Sequence, residues 1–484
     1  MIAGNNQPRD SAQQFLLTKT HFRQYLDSPL HLWASIHTPI NPVSSSLSSN
    51  LQRQGYEVET QAVQFLKQRL GGELSRDLLQ EQMSFVDGNF FARADLIVRD
   101  ADSEGADLYE IKASTNVKPE HLKDCAFQYL VISTSIPLRN VFLVLLDGNY
   151  RRGAELDVEQ LFQVENVTDL VLAELESVEN LRQAALDAAL QDNPDKLQHC
   201  YTPKDCPCPQ LCYPLQVPLS IYEIPGLHKT QKLKLEALGV FDARDVPDDF
   251  PLSNKQRGYI KTVRAGTVHV DRAGIQKKLA KLRYPLHFLD YESYGSAIPL
   301  FEGYRPYQEA VFQFSLDSLE DSTASPMHRE YVHTGLQEPS RELLSALQAA
   351  IASEGSVLVW NKSFEMTRNR EMAALHPQFA SFLEDLNERI VDLAESIKEG
   401  LYIHPGLRGS WSIKKVLPVL DPEGQDYPDL EISEGRQASE AWWEMLHSED
   451  TEKKEALYRA LLNYCALDTQ AMVRVFYRLT ALVS

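Results

Sequence analysis

Apolar and polar positions along the chain follow two periods, and the period predicts which segments are helices and which are strands. Helical spacing runs through residues 55–72, which end in Gly-Gly, through residues 165–193 and through residues 452–484. Shorter strand-like runs are "MSFVDGNFFARADLIVRD", which contains an Asp-Gly turn, "DLYEIKAS" and "RNVFLVLL". This mixture in the first half of the chain predicts an α/β domain.

A second α/β pattern begins after a helical stretch. "KTQKLKLEALGVFDARDVP" predicts a helix, a glycine turn and a second helix start. "YPLHFLDYES" and "VLVWN" then predict buried strands, and "ERIVDLAESI" predicts a third strand that leads into a helix. We therefore expect a multidomain α/β protein with boundaries at residues 1–216, 217–282 and 283–484.

Composition and charge limit the classes of protein that fit. The 484 residues are 43% hydrophobic and 24% charged, which is typical of globular chains with two or three domains. Because the chain lacks long apolar windows and an apolar signal core at its N-terminus, we expect a cytoplasmic protein without a membrane span. The net charge of −20 argues against nonspecific coating of nucleic acid. It leaves a nuclease open, since carboxylates that hold cations are themselves acidic.

Two carboxylates and a lysine fall on neighbouring predicted strands. "ARADLIV" places Asp95 in one strand, and "LYEIKAS" places Glu110 and Lys112 in the next. Side chains alternate across a strand, so Glu110 and Lys112 share a face while Ile111 turns to the core, and a hairpin would bring Asp95 beside Glu110. Carboxylates bind Mg²⁺ or Mn²⁺, and a lysine can orient water and offset phosphoryl charge. Glu59, on the preceding helix, could add a carboxylate.

The plain alternative for this trio is an exposed hairpin with an ordinary Glu–Lys pair, because short motifs often arise by chance. The surrounding residues, about 15–215, resemble the RecB-like PD-(D/E)XK nucleases, a group that includes the CRISPR-adaptation nucleases. "DCAFQYLVI" resembles the helix after their ExK strand, with Gln128 in the glutamine position, and "FRQYLDSPLHLWASIH" resembles their N-terminal helix. The resemblance implies a restriction-endonuclease-like fold in which Asp95 and Glu110 bind metal.

Four of the six cysteines form a cluster: Cys200, Cys206, Cys208 and Cys212. In a cytoplasmic chain such a cluster indicates metal binding before disulfides. The RecB-like relatives often hold a [4Fe–4S] cluster, with one cysteine from the N-terminal helix and three from beyond the nuclease core. Ser28 stands at that N-terminal position here, so Cys208 would have to serve as a fourth ligand, for iron–sulfur or for tetrahedral zinc. A set of reduced thiols in a proline-rich loop is the alternative.

A second acidic set is spread over the last part of the chain. "LHFLDYES" places Asp290 and Glu292 on one face at the end of an apolar strand. "VLVWNKSFE" adds a buried strand and then Glu365 at a helix start, and "YCALD" places Tyr464 and Asp468 one turn apart on the final helix. Each piece alone has a plain explanation, such as a strand end or an acidic first helical turn. The order of the whole set is specific.

That order resembles the DEDD superfamily of DnaQ-like 3′–5′ exonucleases, in the subgroup with a tyrosine in the last motif. The resemblance implies a ribonuclease H-like fold in which Tyr464 orients a water and two divalent ions are held by Asp290, Glu292, Glu365 and Asp468. The second motif usually ends in Asp, so Glu365 is a departure, and Asp392 is the reserve candidate. Cys465 is expected to be a packing residue of the final helix.

Nearly the whole chain resembles a bacterial family of uncharacterised proteins that join a RecB-like domain to a DnaQ-like domain. The match includes polar residues that would either line a substrate channel or sit in a turn: Tyr402, His404, Ser412 and Lys414. "IPGLHKTQKLKLEALGVFDARDVP" resembles a helix-hairpin-helix element, which binds phosphate through backbone N–H groups. Its positive charges are Lys229, Lys232 and Lys234, and a plain helical linker is the alternative.

The sequence thus predicts a metal-dependent nuclease with two active sites and nucleic acid as its partner, DNA being favoured over RNA. A 3′–5′ exonuclease site is expected in residues 283–484 and a PD-(D/E)XK site in residues 1–216. The alternatives are a nucleic-acid-binding protein with one or both sites inactive, and an RNA-directed exonuclease.

Overall fold

The structure is a computed structural model, and it describes residues 15–38, 46–71, 78–99, 105–202, 206–213, 217–424, 432 and 434–484. The chain forms two compact units, which we call unit 1 (Met1–Ser44 with Leu51–Pro214) and unit 2 (Ser45–Asn50 with Leu215–Ser484). Both units combine helices with a β-sheet, so the chain is a multidomain α/β protein as predicted. Residues 217–282, expected as a separate connector, belong to unit 2.

The first part of the chain contains β1 (Leu17–Thr18), α1 (Lys19–Asp27), α2 (Pro29–His37), α3 (Ser46–Gly71), β2 (Leu79–Asp87), β3 (Phe90–Arg99), β4 (Ala106–Ile111), α4 (Pro119–Ile132), β5 (Leu138–Leu146), α5 (Val158–Leu161), β6 (Phe162–Asn166), α6 (Thr168–Ala189) and α7 (Pro209–Cys212). The predicted strands and the two predicted helices in this region are confirmed. Gly88, with a φ of 55°, supplies the left-handed residue of the turn between β2 and β3.

The sheet of unit 1 has the order β1-β3-β4-β5-β6, and β2 pairs antiparallel with β3 from Phe90 to Val98. β3 and β4 are antiparallel, with Leu96 opposite Tyr109. β4 and β5 are parallel, and α4 makes the connection between them. Leu143 and Leu145 of β5 are fully buried because this strand lies inside the sheet, which explains its nearly continuous apolar sequence. The pairing places Asp95, in the middle of β3, beside Glu110, near the end of β4.

Unit 2 begins with α8 (Lys229–Ala237), α9 (Asn254–Ala265), β7 (His269–Val270) and α10 (Arg272–Leu279). It continues with β8 (Leu286–Gly295), β9 (Glu309–Leu319), β10 (Met327–Val332), α11 (Ser340–Ala350), β11 (Ser356–Val359), α12 (Lys362–Leu375), α13 (Ala380–Arg389), β12 (Ile390–Asp392), α14 (Glu395–Lys398), β13 (Tyr402–Ile403), α15 (Ile413–Leu420), α16 (Gly435–His447) and α17 (Thr451–Val483). The predicted β8, β11, β12 and final helix are confirmed.

The second helix start predicted after α8 is present only as one short 3₁₀ turn. Gly239 does form the predicted turn, with a φ of 73°. Residues 243–245, however, make a single 3₁₀ turn that the side chain of Asp242 closes by accepting a 2.8 Å hydrogen bond from the Arg244 N–H. Pro247 and Pro251 follow, and proline inside a helix removes a donor and clashes with the preceding turn. The next helix, α9, therefore begins at Asn254.

The main sheet of unit 2 has the order β10-β9-β8-β11-β12. β8, β9 and β10 are antiparallel neighbours, whereas β11 is parallel to β8 and β12 is parallel to β11. β8 therefore lies at the centre of the sheet. The small strands β7 and β13 pair separately, which joins the helical segment of residues 217–282 to the rest of the unit.

Buried polar contacts hold α17 against the sheet at a defined rotation. The Gln313 amide donates a 2.8 Å hydrogen bond to the Leu461 carbonyl. The hydroxyl of Thr469 donates to Asp317 Oδ2 at 2.8 Å and lies 2.8 Å from the hydroxyl of Ser315. A buried polar group that loses its hydrogen-bond partner costs about 1–3 kcal/mol. Movement of α17 along the sheet would break these bonds and is therefore disfavoured. The stretch between these contacts carries the predicted tyrosine and aspartate of the last motif.

Candidate active sites

In unit 1, the predicted acidic pair lies on adjacent strands. Asp95 Oδ2 accepts a 2.9 Å hydrogen bond from the backbone N–H of Ile111, which brings it next to Glu110 across the β3–β4 pair. Glu110 is 1% exposed, and Ile111 turns into the core. Lys112 lies on the same side as Glu110, with its Nζ 3.0 Å from Glu110 Oε1. The structure therefore brings Asp95, Glu110 and Lys112 together.

Glu110 is surrounded by positive and amide partners. Its Oε1 also forms an ion pair with Lys19, which stands in the first turn of α1. Its Oε2 accepts a 2.7 Å hydrogen bond from the Gln128 amide on α4. Lys112 is held from the other side by Asp124, at 2.6 Å. Both oxygens of Glu110 are thus engaged by the protein itself.

These partners shift the pKa values of the two carboxyl groups, Asp95 and Glu110, in opposite directions. Burial and the charge of Glu110 raise the pKa of Asp95 to about 7. Burial would also raise the pKa of Glu110, but Lys19 and Lys112 outweigh it and hold that pKa well below the usual range. Glu110 is therefore ionised at neutral pH, whereas Asp95 titrates near it.

Glu59 joins this site from α3. It is half-buried, and the Gln82 amide donates a hydrogen bond to it. Its negative charge is the smallest of the contributions to the raised pKa of Asp95. Sequence reasoning did not identify Lys19 or Asp124, because neither belongs to the D…ExK pattern.

In unit 2, Asp290 and Glu292 share a face of the central strand β8. Their oxygen ligands and the thiol of Cys465 all lie within 4.8 Å of one another. Cys465 Sγ donates to Asp290 Oδ2 at 3.6 Å, so this residue is not merely a packing residue of α17. The thiol is fully buried and neutral, because burial raises its pKa well above the usual value.

Glu365 reaches the same site from the first turn of α12, directly after β11. Its side chain is 3% exposed, and its Oε2 is buried with no hydrogen-bond partner among the described residues. Burial raises the pKa of Glu365 to about 8, and the nearby charge of Asp392 adds to this. A buried carboxylate oxygen without a partner is costly unless a ligand satisfies it.

The reserve candidate Asp392 is bound differently. Its Oδ2 pairs with Lys398 Nζ at 2.9 Å, and its Oδ1 accepts a 3.0 Å hydrogen bond from the backbone N–H of Ala394. Both oxygens therefore have protein partners, and Glu365 is the better fit to an external cation.

The last motif faces the β8 carboxylates from α17. Tyr464 is 4% exposed, and Lys414 Nζ donates to its hydroxyl at 3.3 Å. After burial, the negative charge of Asp468 helps raise the pKa values of both Asp290 and Glu292. Burial raises the pKa of Tyr464 strongly, and the phenol stays neutral.

The carboxyl groups of Asp290 and Glu292 repel each other when both are ionised, since their oxygens lie within 4.8 Å of each other. Two unit charges about 4 to 5 Å apart repel by roughly 3–4 kcal/mol at an effective dielectric constant near 20. Among the described residues, Lys414 is a cation whose charge lowers the pKa of both Asp290 and Glu292, yet their pKa values remain well above the usual range. A divalent cation would relieve this repulsion with the hard oxygen ligands that Mg²⁺ and Mn²⁺ prefer.

The remaining predicted residues occupy several places. Lys414 belongs to the site of unit 2, whereas Tyr402 is buried in β13, His404 accepts a 2.9 Å hydrogen bond from the Gly406 N–H, and Ser412 precedes α15. The three lysines predicted to meet phosphate lie on α8: Lys229, Lys232 and Lys234. Three of the four clustered cysteines, Cys206, Cys208 and Cys212, converge in unit 1 with a histidine that sequence reasoning missed, His31.

Comparisons with known proteins give little functional information. A family model described as a domain of unknown function, DUF2779, matches residues 287–412, which include Asp290, Glu292 and Glu365. The chain is 27% identical over 225 residues to "Uncharacterized protein UU173" of Ureaplasma parvum, a match that covers 42% of this chain and 32% of that protein. It is 26% identical over 213 residues to "Uncharacterized protein MG366 homolog" of Mycoplasma pneumoniae, which covers 40% of this chain and 32% of that protein.

The matched part of the chain therefore spans about a third of the length of these relatives. Among solved structures, "Crystal structure of SSO0001" is similar at 12% identity, with a TM-score of 0.23, over 36% of this chain and 80% of that one. Within the described residues, no helix has the length and apolar character needed to cross a membrane.

Proposed function

We propose that the protein is a metal-dependent nuclease with one phosphodiesterase site in each unit, and that the site of unit 2 is a 3′–5′ exonuclease site. The observation that carries the proposal is the pair of carboxyl groups on the central strand of the sheet of unit 2, Asp290 and Glu292, together with the charges of Asp468 and Glu365 that act on Asp290. One of them, Glu365, keeps a buried oxygen that the described residues leave unpartnered. A site of this composition is suited to divalent cations and unsuited to a stable metal-free interior.

The topology of unit 2 supports a ribonuclease H-like assignment. Three antiparallel strands are followed by two strands parallel to the first, in the order β10-β9-β8-β11-β12. The acidic residues come from the central strand β8, from the helix after β11 and from the final helix, which is the order that the DnaQ-like resemblance implies. The order of the strands and the order of the acidic residues are separate properties, and both support the same assignment.

The side chains have distinct roles in the proposed reaction. Asp290, Glu292, Glu365 and Asp468 would hold Mg²⁺ or Mn²⁺, which when bound acts as a Lewis acid and lowers the pKa of a bound water. Tyr464 stays protonated, so its hydroxyl can position a water by hydrogen bonding. Lys414, in contact with that hydroxyl, brings a positive charge to the place where a phosphate would lie.

For unit 1, we propose a PD-(D/E)XK site with Asp95 and Glu110 as metal ligands. The sheet that carries them is mixed, with antiparallel β3 and β4 and a parallel β5 reached through α4, and this agrees with a restriction-endonuclease-like core. Lys112 is fixed between Glu110 and Asp124, where it can orient a water. Because Lys19 already occupies one oxygen of Glu110, metal binding there requires Lys19 to move or to share that oxygen.

DNA is the proposed substrate, and a cleavage assay tests the proposal. Purified chain is incubated with 5′- and 3′-labelled single- and double-stranded DNA and RNA, with Mg²⁺, Mn²⁺ or EDTA. We expect metal-dependent cleavage of DNA in which Asp468→Ala removes 3′ trimming and Lys112→Ala removes a second activity. Cleavage of RNA alone would favour the RNA-directed alternative. No cleavage, or cleavage unchanged by both substitutions, would contradict the two-site proposal.

A further inference from the structure

One side-chain cluster in unit 1 lies outside both proposed nuclease sites. The ligand atoms of His31, Cys206, Cys208 and Cys212 all lie within 4.8 Å of one another. His31 Nε2 is 3.5 Å from Cys206 Sγ, and Cys208 Sγ is 3.8 Å from Cys212 Sγ. Three of the four side chains are buried, and Cys206 is partly exposed. One imidazole and three thiols in this arrangement form a complete donor set for a tetrahedral ion.

The chain brings His31 to the cysteines through backbone contacts made by α2. Ser28, at the start of α2, donates its hydroxyl to the Gln198 carbonyl at 2.8 Å. Trp33 donates its indole N–H to the Gln191 carbonyl at 2.7 Å. These two bonds hold the segment after α6 against α2, and His31 lies on α2 between them. Ser28 therefore has a structural role at the position where a cysteine was expected, and His31, one helical turn later, faces the thiols.

The spacing of the ligand atoms distinguishes a single ion from a cluster. With metal–sulfur bonds of about 2.3 Å and metal–nitrogen bonds of about 2.0–2.1 Å, a tetrahedral zinc site separates its sulfurs by about 3.8 Å and sulfur from nitrogen by about 3.6 Å. Two observed separations, 3.8 Å between Cys208 and Cys212 and 3.5 Å between Cys206 and His31, match these values, and the other four lie within 4.8 Å. A [4Fe–4S] cluster binds each ligand at a different iron and so spreads its ligand sulfurs to on the order of 6 Å. The geometry fits one ion.

Cys200, the other clustered cysteine, lies at the edge of the four-residue group, and its side chain hydrogen-bonds with Cys206. Its Sγ lies 3.3 Å from the hydroxyl of Tyr213, and that hydroxyl donates to the Cys200 carbonyl at 2.7 Å. Tyr213 directly follows α7, the helix that ends at Cys212. Cys200 therefore supports the loop next to the four-residue group and provides a matched control thiol within the same cluster.

We propose that His31, Cys206, Cys208 and Cys212 bind one structural Zn²⁺ ion, which ties α2 to the segment that follows α6. The ion would cross-link residues about 175 positions apart in the chain, and closing so long a loop restricts the unfolded chain strongly. It takes no part in hydrolysis, and the inference does not depend on the nuclease proposal. It replaces a four-cysteine ligand set by a His–Cys₃ set.

Metal analysis of the full chain, purified without added metal and without oxygen, tests this inference. We expect about one zinc per chain, and X-ray absorption at the zinc edge should show three sulfur ligands and one nitrogen ligand. This measurement uses the unaltered protein and does not depend on the folding of a variant. A preparation with stoichiometric iron and sulfide, with four sulfur ligands on zinc, or without bound metal would overturn the proposal.

Substitutions then assign the ligands. We expect His31→Ala and Cys212→Ser to lose zinc and to lower the melting temperature of unit 1, and His31→Cys to retain zinc with a fourth sulfur ligand. The matched control Cys200→Ser should retain zinc and lower the melting temperature less than loss of the ion does. Loss of zinc in Cys200→Ser together with its retention in His31→Ala would assign the original four-cysteine set and contradict the proposed one.

Discussion

The two candidate active sites use the same type of ligand but balance its charge in opposite ways. In unit 1, Lys19 and Lys112 form ion pairs with Glu110, and because of these two charges the pKa of Glu110 falls below the usual range. In unit 2, burial and mutual repulsion keep the pKa values of Asp290 and Glu292 well above the usual range. The first carboxylate is neutralised by two lysines, whereas the charge of Lys414 lowers the pKa values of the second pair without outweighing burial and repulsion.

This difference indicates how each site would respond to a divalent cation. A cation entering the site of unit 2 relieves repulsion and satisfies the buried oxygen of Glu365, so binding should stabilise the unit. A cation entering the site of unit 1 has to compete with Lys19 for Glu110. We therefore expect unit 2 to be the tighter metal site, and the following predictions test that contrast.

The largest expected effect is on catalysis. Asp468→Asn should lower metal-dependent release of nucleotides from 3′ ends by about 10³-fold or more, because the site loses a ligand charge while the shape of the side chain is kept. Lys112→Ala should leave that activity unchanged. End-labelled DNA resolved by length measures both. The exposed control Glu320→Gln should match the unaltered protein, and equal loss in Asp468→Asn and Lys112→Ala would remove the distinction between the sites.

The second effect is on stability against pH without metal. The pKa values of Glu365 and Asp95 are raised to about 8 and about 7, so the folded chain holds protons that the unfolded chain releases. Stability from these groups is present below their unfolded pKa values, near 4, and is lost as pH rises towards 8. Melting temperatures measured in EDTA should fall over this range. The free energy of unfolding should decrease by several kcal/mol at most.

Two substitutions assign this pH dependence. Glu365→Gln and Asp95→Asn should each flatten the decline, and at pH 8 in EDTA each should melt at a higher temperature than the unaltered chain. A decline of unchanged slope in both variants would show that other groups cause it.

A smaller effect, on the stability of unit 1, is expected from removing a lysine that pairs with Glu110. Lys19→Met removes one of two lysines from buried Glu110 and should destabilise unit 1 by about 1–2 kcal/mol, less than a fully buried pair because Lys19 is 27% exposed. Thermal unfolding measures the change. Lys67→Met, which removes an exposed ion pair with Glu81, is the matched control and should cost less than about 0.5 kcal/mol. Equal costs would mean that Lys19 does not stabilise Glu110.

The smallest effect concerns Cys465. Its thiol lies beside Asp290, so it offers a soft ligand to Cd²⁺ within a site of hard oxygens. Cys465→Ala should change the Mg²⁺-supported rate by less than about threefold but should weaken inhibition by Cd²⁺. Cys125→Ala, a buried thiol of unit 1, should leave that inhibition unchanged in an assay of 3′ trimming. Identical Cd²⁺ sensitivity in all three proteins would exclude the thiol as a ligand.

Much of the fold follows from the periodicity of the sequence, and what was missed has physical reasons. β8 and α17 were predicted because apolar residues repeat along them. β9 was not, because it is buried on both faces and carries Gln313, Ser315 and Asp317 at buried positions, so it resembles neither an alternating strand nor an apolar run. Those same polar residues hold α17 in place.

The candidate sites were predictable where their residues form a local pattern. Asp95 and Glu110 lie on two adjacent strands and Lys112 directly follows the second, so the alternation of a strand was enough to align them. Lys19 and His31 lie in the N-terminal helices and reach partners 91 and 175 residues away. Only tertiary packing brings such residues together, and a sequence without its fold contains no local signal for either contact.

The most direct test of the contrast between the sites is a titration of the metal-free chain with Mn²⁺, followed by electron paramagnetic resonance of the free ion. The account predicts tight binding that Glu365→Gln and Asp290→Asn each weaken by at least about tenfold, whereas Asp95→Asn leaves it unchanged. Absence of tight binding, or tight binding lost in Asp95→Asn and kept in Glu365→Gln, would contradict the claim that unit 2 holds the principal metal site.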